Sequence, residues 1–291
     1  MRVKVANAPV SFGVFELSDA PPPLSADEMV QALADAGYEG IDLGPLGYLG
    51  TGPELVERLG DMELAGGWAD LRYSDAEEFR KGLPALDATL DVFASAPGDP
   101  RPTLGCSGSP ERFARPGGSV PGLAASEWPA YAARVQEAAD RCRERGFEPA
   151  FHHHLGTYVE TPDDVERLLE LTDVQLCLDT GHLLLAGGDP VTALRDWSSR
   201  IGHVHIKDGD TKTLATALAD GVDLRELMGR GGFPPLGEGE LDLPAVVRTL
   251  GETGYAGWVV IEQDTLPGRR TVAQNIADQA ANRRQLKELG L

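Results

Sequence analysis

The sequence predicts one α/β domain folded as a (β/α)8 barrel. Three observations predict it. Short apolar runs alternate with amphipathic stretches from end to end, and there are eight such runs. Most are too short and too continuously apolar for exposed antiparallel strands, and they suit a parallel sheet buried on both faces. Finally, no stretch rich in Gly, Ser or Pro divides the 291 residues, a length that α/β barrels reach around a single core. Residues 1–291 therefore read as a single domain.

The expected strands are VKVANAP (3–9), GIDLG (40–44), MELAGGWA (62–69), PTLGCSG (102–108), EPAFHHH (148–154), VQLCLDT (174–180), GHVHIKD (202–208) and GWVVIEQD (257–264). The helices between them carry start and stop signals. In LSADEM (24–29), Ser25 and Glu28 form a capping box, with Leu24 and Met29 placed as a hydrophobic staple. Gly37 suits the left-handed residue that ends that helix. Thr161 caps TPDDVERLLEL, with Pro162 in the first position where its missing N–H costs nothing, and Asp189-Pro190 repeats the device. An open doubly wound sheet is the alternative, but no GxGxxG follows the first strand. The connection 209–242 is unusually long and reads as a loop or lid at the barrel mouth.

Composition narrows the partners. Lys and Arg total 26 against 46 Asp and Glu, a formal charge of −20. A field of that sign repels phosphate backbones and anionic membranes, so neither nucleic acid nor membrane is an expected partner. The basic cluster RCRER (141–145) reads as the exposed end of a helix, complementing its dipole. Cys106, Cys142 and Cys177 form no metal-ribbon or disulfide pattern. With no apolar run near ~20 residues and no signal peptide at MRVKVANAPV, the expected location is the cytoplasm.

A barrel of this kind carries its site at the C-terminal ends of the strands. All six histidines lie between 152 and 205, at three consecutive strand ends. The fifth strand ends in His152–His154, the sixth in Asp179 with His182 just beyond, the seventh in His205, Lys207 and Asp208, and the eighth in Glu262 and Asp264. Imidazole and carboxylate together are the ligand mix of Mn²⁺, Co²⁺, Zn²⁺ or Fe²⁺. Alternation sets His152 and His154 on one face and His153 on the other. His203, His205 and Lys207 share a face, and His205, nearer the strand end, is the better ligand. His153 and His203 read as core residues, and GEGE (237–240) as a turn.

LDTGHLLLAGGDP (178–190), HVHIKD (203–208), PLGEGELD (235–242) and WVVIEQD (258–264) resemble motifs of the xylose isomerase-like sugar phosphate isomerase/epimerase superfamily of TIM barrels. More narrowly, NAPVSFGVFE (7–16), GYEGIDLGPLGYL (37–49) and HHHLGTYVET (152–161) resemble the inosose dehydratase (2-keto-myo-inositol dehydratase) branch. The resemblance implies one divalent metal, Mn²⁺ or Co²⁺ before Zn²⁺ or Fe²⁺, held by His152, Asp179, His205 and Glu262. His152 stands where the epimerases usually carry Glu, which argues against their paired-glutamate proton machinery. The chemistry the resemblance implies needs a base, for which His154, Lys207 and Glu262 are the candidates, and a second acid such as His182. Phe12, Trp68 and Tyr48, near other strand ends, read either as the floor of a sugar site or as packing, and Asp264 is a further candidate substrate contact. The implied activity is a metal-dependent lyase dehydrating a keto-polyol such as an inosose through an enolate. A sugar isomerase or epimerase is the second choice. The implied partner is a small polyol or sugar. Arg269 and Arg270 leave a phosphorylated substrate open, as the sequence leaves a homo-oligomer.

Overall fold

The eight strands form where the apolar runs place them, most of them shorter than the runs. They are β1 (Lys4–Asn7), β2 (Gly40–Asp42), β3 (Glu63–Asp70), β4 (Arg101–Gly105), β5 (Ala150–His152), β6 (Gln175–Asp179), β7 (Ile201–Ile206) and β8 (Trp258–Ile261). In this computed structural model all neighbours are parallel, in the order β1 to β8, and β1 pairs with β8 to close the barrel. The closure rules out the open doubly wound sheet. The structure describes residues 3–15, 21–106, 108–118 and 120–291. Glu16, which ends the first motif, and Ser107, in the expected fourth strand, lie outside the described residues.

The helices start where their caps predict. Ser25 and Glu28 bond reciprocally at the head of helix Ala26–Ala36, and Gly37 ends it with φ 86°. Thr161 and Asp164 form a second capping box at helix Pro162–Leu171. Asp189 caps Pro190–Asp196. Arg141 and Arg143 fall in the last turn of Trp128–Glu144. Among the described residues, no helix is long and apolar enough to cross a membrane.

Alternation then sorts the core. Phe151, Leu178, Val204, Ile206, Val259 and Ile261 join the large apolar cluster that includes residues of the surrounding helices. A smaller cluster holds Ala6, Ala65, Val260 and Trp258. The Trp258 ring lies so close to Gly40 that a Cβ there would come within 2.7 Å of it. At the opposite, C-terminal end of the strands lies the cavity that holds the clustered histidines and carboxylates.

One irregularity decides which residues meet there. Leu176 of β6 pairs with Ile201 of β7, but the register then shifts, so that Cys177 pairs with His203 and Asp179 with His205. A one-residue shift exchanges the two faces of a strand. Gly202 sits at the shift, where a Cβ would lie 2.0 Å from Gln175 Oε1.

Segment 209–242 is not the loop expected from its length. It folds as helices Thr211–Asp220 and Leu224–Gly229, capped by Asp210 and Asp223, with Gly221 left-handed between them. The return GEGE is a turn, as expected, wrapped round a buried carboxylate. Asp208 accepts from the amides of Gly209 (2.8 Å), Gly237 (2.9 Å), Gly239 (3.1 Å) and Leu241 (2.9 Å). Asp208→Ala strands these amides, and bonds to a charged acceptor contribute about 1.5–3 kcal/mol each at most. A loss of about 3 kcal/mol in urea unfolding is the expected result; a change below about 0.5 kcal/mol would mean the carboxylate does not hold the turn.

Candidate active site and metal centre

The strand ends of β5 to β8 converge at the open end of the barrel. One ligand atom from each of His152, Asp179, His205 and Glu262 lies within 4.8 Å of the others, and all four residues are buried. The register explains the convergence. Asp179 is paired with His205, and the Glu262 amide donates to Ile206 O (3.1 Å), which sets Glu262 beside them.

These atoms approach one another without bonding well. His152 Nε2 is 3.5 Å from Asp179 Oδ2, and His205 Nδ1 is 3.2 Å from Glu262 Oε2. Yet Asp179 Oδ2 and both ring nitrogens of His152 and of His205 have no hydrogen-bond partner among the described residues. Buried polar atoms are rarely left so. Asp179 Oδ1 is fixed by the Gly181 and His182 amides, both at 2.9 Å, leaving Oδ2 toward the cluster. Burial, reinforced by His205, lowers the His152 pKa to about 4. A neutral imidazole is the form that binds metal. Burial alone would raise Glu262, but His205 and Lys207 outweigh it and hold the carboxyl well below its usual range. The donor set and its orphaned atoms fit a divalent cation of the borderline class.

Beside this cluster lies a second group. Lys207 Nζ is 2.8 Å from Asp264 Oδ1, 3.0 Å from Glu262 Oε2 and 3.2 Å from Asp179 Oδ2. Burial opposes its charge, but those three carboxylates outweigh burial and raise its pKa. Burial raises Asp264, against the pull of Lys207. His182 Nε2 lies 2.8 Å from the same ammonium, so it accepts, and its proton sits on Nδ1. His154 Nδ1 lies 2.7 Å from Leu155 O, so it donates there and Nε2 carries the lone pair. Burial, then Lys207, lowers the His154 pKa. Burial and the neighbouring His154 and Lys207 lower that of His182 further. The His154 and His182 rings lie 3.6 Å apart, and Phe233 closes over His182 at 5.0 Å.

His152, His154, His205, Lys207, Glu262 and Asp264 line a cavity of about 240 Å³ together with Trp68, while Asp179 and His182 sit behind them. Trp68 meets His152 edge-on at 5.2 Å and covers Gly105, where any Cβ would lie 1.9 Å from the indole. Phe12 does not face the cavity. It ends the 3-10 turn Pro9–Phe12 and is buried in the core, while Val10 and Phe15 on either side line the cavity instead. Tyr48 packs against the core and donates to Leu24 O. Arg269 pairs with Glu226 and Arg270 with Asp278, and neither lines the cavity. His153 turns away from the ligand cluster, its Nε2 accepting from the Asp179 amide at 3.1 Å. His203 is fully buried and grouped with Asp42 and His205.

Asp42 was not singled out by the sequence. It ends β2, lines the cavity and places Oδ2 3.7 Å from His205 Nε2, opposite the nitrogen that faces Glu262. The signal was available: a carboxylate closing a predicted strand, in GIDLG.

Residues 30–286 match the family described as xylose isomerase-like TIM barrel. The chain belongs to this family. Within the xylose isomerase-like barrels, it is 31% identical over 277 residues to the rhizopine catabolism protein MocC of Rhizobium meliloti, covering 92% of this chain and 84% of that one. It is 29% identical over 280 residues to an inosose dehydratase of Geobacillus kaustophilus, covering 91% and 88%. Among solved structures, the 3-keto-D-glucoside 4-epimerase YcjR from E. coli superposes with a TM-score of 0.67 at 16% identity, covering 97% and 100%. The IolI protein with a bound zinc atom gives 0.66 at 14%, covering 96% of each chain. At those identities the structures speak for the shared barrel.

Proposed function

We propose that this member of the family is a divalent-metal-dependent lyase that removes water from a keto-polyol such as 2-keto-myo-inositol. The observation that carries the reading is the buried cluster of His152, Asp179, His205 and Glu262, in which Asp179 Oδ2 and the ring nitrogens of both histidines lack hydrogen-bond partners among the described residues, beside an oriented His154 and an oriented Lys207. Kinship with proteins named inosose dehydratase supports it.

His152, Asp179, His205 and Glu262 would hold the ion, with Mn²⁺ or Co²⁺ favoured by the mixed imidazole–carboxylate set and Zn²⁺ or Fe²⁺ compatible with it. Bound there, it would polarise the substrate ketone and offset the negative charge developing on its oxygen. His154 Nε2, with its other nitrogen fixed on Leu155 O, takes the proton from the carbon next to the ketone. Lys207 supplies the proton with which the β-hydroxyl departs as water. His182 accepts from Lys207 and orients it, a positioning role in place of the direct acid that the sequence suggested. Asp264 holds Lys207 from the other side and faces the substrate space. The bonds broken are one C–H and one C–O, with no redox change. An epimerase on the same scaffold needs a proton acceptor and a donor on opposite faces of one carbon. With His152 in place of a carboxylate, this chain lacks the symmetrical pair.

Incubation with Mn²⁺ and 2-keto-myo-inositol is expected to produce the absorbance of a diketone product. A ketose of changed stereochemistry without that absorbance would favour the epimerase. Metal analysis gives an independent check. The wild type is expected to hold about one divalent ion per chain, and Glu262→Gln to weaken its binding by about tenfold or more. Undiminished metal content in the variant would remove Glu262 from the ligand set.

A further inference from the structure

The cavity has two unlike sides. Its floor is the charged group at the strand ends, rich in partners for hydroxyls and a ketone. Its upper wall is formed by Phe15, Phe113, Leu155, Leu224, Met228 and Leu266, none of which offers a hydrogen bond from its side chain. These come from five separate segments. Phe15, Phe113 and Met228 remain partly open to solvent, and Phe113 is 40% exposed. A hydroxyl packed against these six side chains would give up water partners and gain none from them.

Charge narrows what the far end of a substrate carries. The lining cations are Lys207, already held by three carboxylates, and the exposed Arg225. Among the described residues, no cluster of free cationic side chains lines the cavity to take a phosphate.

We infer that the substrate is a keto-polyol carrying an apolar ether substituent, O-alkyl or O-aryl, on a carbon away from the reacting ketone, and no phosphate. The ketone end rests on the lyase reading; the apolar end rests on the wall alone. Binding of unreactive alcohols therefore tests it separately from turnover. With the Mn²⁺-loaded protein, calorimetry compares myo-inositol with its mono-O-methyl and mono-O-benzyl ethers. Each buried methylene is worth about fourfold in affinity, so the benzyl ether is expected to bind at least about tenfold more tightly than the parent. In the double variant Phe113→Ser/Met228→Ser that ratio is expected to fall below about threefold. The inference is overturned if the parent binds as tightly as the ethers, if no ether binds, or if the double variant keeps the full ratio. Should the double variant fail to fold, the wild-type comparison decides alone. Ethers that bind tightly while their ketone counterparts yield no diketone would sink the lyase reading and leave this inference standing.

Discussion

Replacing Lys207 with methionine is expected to lower kcat about a thousandfold, within the range that a positioned proton donor contributes, while the divalent ion stays bound. Lys207 is a buried cation set among three carboxylates and touches His182 as well. Methionine keeps most of its length and removes both charge and proton. Without the ammonium, the departing hydroxyl loses its donor, and Asp264 loses the partner that opposes its protonation. The negative charge left around Asp179 and Glu262 favours a cation, so metal analysis on the same sample separates lost chemistry from lost metal. A variant within about tenfold of wild-type kcat, metal intact, would show that the proton comes from elsewhere.

Arg112→Met is expected to destabilise the protein by about 3–5 kcal/mol, the range for removing one partner of a buried ion pair. Arg112 is 3% exposed. It bonds Asp164 Oδ2 at 2.6 Å, approaches Glu160 Oε2 at 3.5 Å and donates to the carbonyls of Val120, Thr157 and Tyr158. Glu160, fully buried, accepts from the amides of Gly117, Gly118 and Gly156. Burial raises the Glu160 pKa even with these amides and Arg112 opposing it. A carboxyl raised on folding binds more protons in the native state, so its contribution improves as pH falls through the folded pKa. Loss of Arg112 raises it further. The deficit in urea unfolding is therefore expected to narrow on acidification, and Glu160→Gln is expected to recover part of it at neutral pH. A loss under about 1 kcal/mol, independent of pH, would contradict the role given to this pair. The pair also joins the segments that carry Phe113 and Leu155, so the cavity wall depends on it.

Much of this barrel is written locally. Ser25, Thr161 and Asp189 cap helices because a short oxygen-bearing side chain ahead of an apolar period has few other uses, and the eight apolar runs leave a parallel sheet as their shared solution. The division of His152, His153 and His154 between cavity and barrel exterior followed from alternation. What failed to show was convergence between segments remote in sequence. Phe12, Val10 and Phe15 are equivalent candidates in a string, and only the 3-10 turn decides that Phe12 goes inward to the core. Phe113, Leu224 and Met228 reach the cavity from connections whose spacing says nothing of their destination. Arg112 and Glu160 lie 48 residues apart with no pattern linking them. In 209–242 the signals were present, Asp210 and Gly221 bracketing a helix, but the length of the stretch outweighed them.

The offset between β6 and β7 gives the ligand set a property that composition does not. Carried on without it, the pairing of Leu176 with Ile201 would put Val204 opposite Asp179 and aim His205 at the helices. Every histidine would still be present, at the same spacing, on the same strands. The site is thus a matter of phase between two neighbouring strands, held where Gly202 leaves no room for a side chain beside Gln175. Two barrels with identical motifs can differ in this alone, one poised to grip an ion and the other merely rich in imidazole.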